Sequence, residues 1–64
     1  LTRRQIEIIS LMDKGFSNQE MADTLFIAKT TVKTHVRHLF KIFNVTNRIN
    51  CLHEAKKAGL HLSV

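Results

Sequence analysis

Lys33, Thr34 and Arg37 fall within about one helical turn of each other, and residues at that spacing share a helix face. Arg37 has the geometry to donate two hydrogen bonds to guanine O6 and N7, and Lys33 reaches the same acceptors. The Thr34 methyl suits the methyl of thymine. These three are the candidate base readers. Lys29, Thr30, Thr31, His38 and Lys41 surround them with donors suited to phosphate oxygens, which fix register without reading sequence. No aspartate or glutamate interrupts the run from Lys29 to Lys41. A solvated helix face normally mixes signs, so a face of one sign is expected to meet a polyanion.

The bulk numbers agree. Ten lysines and arginines against five acidic residues give a net charge of +5, with a pI near 10.0. A field of that sign concentrates nucleic acid or acidic lipid heads. At 64 residues the chain is one domain at most, and 44% hydrophobic content suits a folded globule. No apolar run approaches the roughly 18 residues of a membrane span, and no signal-peptide pattern is visible. The first residue is Leu1 rather than methionine, as expected of a fragment cut from something longer. The single cysteine, Cys51, forms no internal disulfide, which fits a reducing compartment.

Four helices must position these side chains, at about 3–14, 18–25, 29–43 and 47–58. Thr2 and Gln5 form a capping box for the first, and Gly15 stops it. Ser17 and Glu20 repeat the box for the second. Ile8, Ile9 and Met12, then Met21, Ala22 and Leu25, are the inward stripes of these two helices. Ile27 is expected to reach inward from the turn that follows. Val32, Val36, Leu39, Phe40 and Phe43 form the buried stripe of the third helix, opposite its basic face, and Asn44 ends it. Cys51, Leu52, Ala55 and Ala58 are the expected inner face of the fourth, which stops at Gly59. Leu60 is an expected anchor, and nothing is assigned to 61–64. The fold class is therefore an all-α four-helix bundle. A short capped helix, a tight turn and a longer basic helix make the helix-turn-helix plan, in which the second helix of the pair enters the major groove.

Ordered motifs across the whole chain resemble the LuxR-type domain of the NarL/FixJ class. They are Leu1-Thr2-Arg3-Arg4-Gln5, Gly15 to Ala22, Thr31-Val32-Lys33-Thr34-His35, Val45-Thr46-Asn47-Arg48 and Ala58-Gly59-Leu60. The resemblance implies that residues 1–64 are the C-terminal output domain of a longer bacterial response regulator or quorum-sensing regulator. It implies double-stranded DNA as partner, bound as a homodimer on an inverted repeat, with RNA polymerase as a further partner. By position it places Ser17, Asn18 and Thr31 at phosphates and the fourth helix at the dimer contact, through Ile49, His53 and Lys56. A cytoplasmic, nucleoid-associated location follows from the same resemblance. Three departures stand out. Ala28 occupies the usual place of a capping serine, Asn44 that of a glycine, and Asp13 that of a small apolar residue, which should leave the end of the first helix less buried.

Other chemistries find less support. His35 and His38 lie three apart, but no cysteine or carboxylate completes a tetrahedral metal site, so neither metal nor cofactor is expected. Cys51 reads as a small core residue. No nucleophile, base and acid are grouped for catalysis, so the chain is not expected to be an enzyme. Two alternatives stay open: sigma-factor region 4, which shares the Thr-Val-Lys helix start, and a helical module that turns its basic face to an acidic protein.

Overall fold

The computed structural model describes residues 1–60, and the unassigned stretch 61–64 lies outside them. Four helices follow one another: α1 (Arg3–Asp13), α2 (Asn18–Leu25), α3 (Lys29–Phe43) and α4 (Arg48–Lys57). There is no strand among the described residues. Lys14 and Ala58 act as C-caps and Asn47 as an N-cap, so α1 and α4 end a residue inside the sequence expectation.

Both capping boxes form. The Thr2 hydroxyl accepts the Gln5 N–H at 3.1 Å, and the Thr2 N–H donates to Gln5 Oε1 at 2.8 Å. Ser17 and Glu20 repeat this at 3.1 and 2.9 Å. The fourth helix is capped by Asn47 Oδ1, which accepts the Asn50 N–H at 2.8 Å. Only α3 starts bare, since Ala28 has the extended N-cap backbone but no side-chain cap bond.

All four helices close through a left-handed residue: Gly15, Phe26, Asn44 and Gly59, at φ of 87°, 57°, 54° and 90°. The residue after each returns its N–H to a carbonyl five positions back. These bonds are Phe16 to Leu11 at 3.1 Å, Ile27 to Ala22 at 3.1 Å, Val45 to Phe40 at 2.9 Å and Leu60 to Ala55 at 3.2 Å. This is the Schellman closure. Each returning residue is apolar and packs against the core, so every turn is pinned by its own plug. Ile27 and Leu60 thus take the inward roles expected of them.

The third helix packs on all three others. Val32, Val36 and Leu39 of α3 meet Ile8, Ile9 and Met12 of α1, Met21 and Ala22 of α2, and Cys51 and Ala55 of α4. Leu25, Phe40, Phe43 and Leu52 are half-buried around this centre. Two expectations are corrected. Ala58 is exposed, because α4 has ended before it and the residue serves as a cap. Asp13 does not loosen the end of α1: its side chain is only 13% exposed and takes Lys56 Nζ at 2.9 Å, tying α1 to α4. By contrast, α2 and α4 do not pack on one another.

Candidate nucleic-acid interface

Because Val32, Val36 and Leu39 face inward, helical geometry turns the opposite side of α3 outward. Lys29, Thr30, Thr31, Lys33, Thr34, Arg37, His38 and Lys41 are all exposed, as the sequence expects. The expected base readers therefore stand on one open surface. Among the described residues none of the α3 cations is in an ion pair. Their donors remain available to a ligand. Thr34 differs: its hydroxyl donates to the Thr30 carbonyl at 3.1 Å, inside the helix. The methyl and an oxygen lone pair are then what Thr34 has left to offer, which suits contact with a thymine methyl.

The bare start of α3 adds donors. The Thr31 and Val32 N–H groups both bond the Ala28 carbonyl, at 3.0 and 3.1 Å. The N–H groups of Lys29 and Thr30 precede this first bonded pair and form part of the positive end of the helix dipole. Missing a serine cap weakens α3 but leaves its end open to an anion.

A cleft of roughly 630 Å³ opens beside this end, lined by the α1–α2 turn from Gly15 to Gln19 and by Lys29, Lys33 and Arg48. A smaller hollow links Asn18 to Lys33 and Arg37. Fold therefore brings Ser17 and Asn18, from α2, to the same surface as the α3 readers. Their free groups are fewer than the sequence implies. The Ser17 N–H is taken by the Glu20 carboxylate, so its hydroxyl proton is the donor left. The Ser17 backbone and side-chain hydrogen bonds hold the Glu20 carboxyl below the usual glutamate range. Glu20 is thus an anion at neutral pH, placed favourably for the α2 dipole.

Arg48 is the residue that sequence reasoning left without a role. Its Nη2 donates to Asn18 Oδ1 and its Nη1 to the Phe16 carbonyl at 3.4 Å. The signal was a cation in the first turn of α4, where the helix dipole opposes it and only an outside partner justifies it. Nearby Cys51 is buried and burial pushes its thiol up, partly offset by the Arg48 charge. A protonated thiol in the core fits the structural role expected of it.

On α4, Ile49 is 79% exposed and His53 is exposed. The Lys56 ammonium is already engaged by Asp13, so the three expected dimer residues are not equally free.

Residues 1–55 match the family model GerE, described as bacterial regulatory proteins, luxR family. The chain is 39% identical over 57 residues to the HTH-type transcriptional regulator MalT of Vibrio cholerae serotype O1, covering 89% of this chain and 6% of that protein. It is 39% identical over 59 residues to the transcriptional regulatory protein DegU of Brevibacillus brevis, covering 92% and 25%. The chain thus spans a quarter or less of these relatives. Among solved structures it is similar to the response regulator ChrA of a heme-sensing two-component system. The TM-score is 0.89 at 38% identity, over 91% of this chain and 29% of that one.

Proposed function

The chain belongs to the luxR family of bacterial regulatory proteins, a family of DNA-binding transcription regulators, and on that premise we propose how it reads DNA. The third helix lies in the major groove, which has room for one helix. Lys33, Thr34 and Arg37 face base edges. Ser17, Asn18, Lys29, Thr30, Thr31, His38 and Lys41 hold phosphates on either side. One observation carries the reading: Lys29, Thr30, Thr31, Lys33, Thr34, Arg37 and Lys41 of α3 are all exposed, and no carboxylate lies among them. A second copy binds through α4, with Ile49 at the centre and His53 beside it. Two-fold symmetry then calls for an inverted repeat with half-sites about one DNA turn apart. Residues 1–64 serve as the output domain of a longer regulator, for which RNA polymerase is a further partner.

The test is selection of a random duplex pool by the purified domain at two salt concentrations, followed by sequencing of the bound fraction. An enriched inverted repeat, lost on Lys33→Ala or Arg37→Ala, supports the reading. Arg37→Ala should relax one base position and cost about 1–3 kcal/mol. Lys41→Ala should weaken all sequences alike and reduce the log–log salt slope by about 0.9. No enrichment and no salt-sensitive binding would overturn the proposal and turn attention to an acidic protein partner.

A further inference from the structure

We infer that Arg48 is a positioning residue for DNA binding: from α4 it orients the Asn18 amide so that its N–H groups are free for a DNA phosphate. The inference rests on the DNA-binding reading above. It begins from the range of the hydrogen bonds. Apart from the Asp13–Lys56 ion pair, side-chain bonds elsewhere among the described residues join positions three or four apart. Those of Arg48 span 30 and 32 residues. The Asn18 bond also bridges the two helices that do not pack together, α2 and α4. The core places both through α1 and α3, and the guanidinium is what joins them directly.

The chemistry of the junction selects the Asn18 orientation. An arginine has donors and no acceptor, so the amide atom facing it must be oxygen. The remaining half of the amide is a pair of N–H donors, the correct polarity for an anion. Asn18 and Arg48 both line the cleft that Lys29 and Lys33 border. The second guanidinium bond, to the Phe16 carbonyl, fixes the residue just before the Ser17 N-cap. Arg48 therefore holds both flanks of the α2 start. Because it adjoins Ile49, the order of α4 in the proposed dimer and the readiness of α2 for phosphate become linked through one side chain.

The experiment measures duplex affinity, its salt slope and the melting temperature for Arg48→Gln, Asn18→Ala, their double variant, Asn18→Asp and Arg48→Lys. Arg48→Gln should lower affinity roughly tenfold, the cost of one misplaced charged hydrogen bond, with the salt slope unchanged. Asn18→Ala should lose about as much, and the double variant no more than either alone. Asn18→Asp keeps the acceptor for Arg48 but deletes both donors, so affinity should fall while the melting temperature holds or rises. Arg48→Lys keeps the charge without the fork and should fall below wild type.

A slope reduced by about 0.9 in Arg48→Gln would show Arg48 touching phosphate itself and would overturn the inference. So would losses that multiply in the double variant, or a folded Arg48→Gln binding within about twofold of wild type. If Arg48→Gln does not fold, Asn18→Asp and Arg48→Lys decide the matter by the same criteria. A wild-type domain with no salt-sensitive duplex binding would instead overturn the DNA reading, a result distinct from all of these.

Discussion

Ala28→Ser should stabilise the domain, and the structure sets the size of the gain. Three helices start with a side-chain oxygen accepting the N–H of the third helical residue, at 2.8 to 3.1 Å. The longest helix lacks that bond, although Ala28 already has the required extended backbone, φ −70° and ψ 147°. A serine there needs no rearrangement to bond the Thr31 N–H. A cap of this kind contributes 0.5 to 2 kcal/mol. The Thr31 N–H is not orphaned at present, because it falls back on the Ala28 carbonyl at 3.0 Å. The gain should therefore lie near the middle of the range, about 1 kcal/mol, or roughly 4–8 °C in melting temperature for a domain of this size. Thermal unfolding followed by circular dichroism measures it. Ala28→Asp adds a favourable charge at the helix dipole and should stabilise as well. It also places a carboxylate on the proposed phosphate surface, so it should weaken duplex binding at low salt where Ala28→Ser does not. If neither variant raises the melting temperature by more than about a degree, the account of α3 as an under-capped helix is wrong.

Phe26→Gly should also stabilise, by about 1 kcal/mol, since the left-handed backbone is costly for phenylalanine and its ring, 94% exposed, forfeits little burial; an unchanged or lower melting temperature would refute this. Leu39→Ala, at a fully buried site, should cost about 2–5 kcal/mol. A domain of this length has roughly 3–10 kcal/mol in total, so partial unfolding should appear in a denaturant titration. The pH dependence follows from Glu20, whose folded pKa is depressed by its bonds to Ser17. Its contribution is present above the unfolded value of about 4.3 and is lost as pH falls through the folded pKa. Glu20→Gln should flatten the acid limb of melting temperature against pH, and an unaltered limb would remove the capping box as its cause.

Local chemistry made much of this protein legible in its sequence. Capping boxes at Thr2–Gln5 and Ser17–Glu20 need only residues three apart, and both form as read. The stops at Gly15 and Asn44 could be read because those residue types tolerate the left-handed region. Phe26 could not, since no phenylalanine announces a left-handed turn; the inward pull on Ile27 imposes it. The basic face of α3 was legible for a periodic reason: the buried stripe through Val32, Val36 and Leu39 dictates what must lie opposite.

Sequence alone determined the four helices, the two capping boxes and the polarity of α3, because each depends on neighbours within four residues. Tertiary structure decided which of the candidate polar groups remain free. The Asn18 oxygen is taken by Arg48 and the Lys56 ammonium by Asp13. Both partners come from 30 or more residues away, and a hydrogen bond or ion pair between distant residues has no periodicity to betray it. Such a contact exists only after the core has set the helices side by side. The availability of a polar group is for that reason a property of the fold, while its presence is a property of the chain.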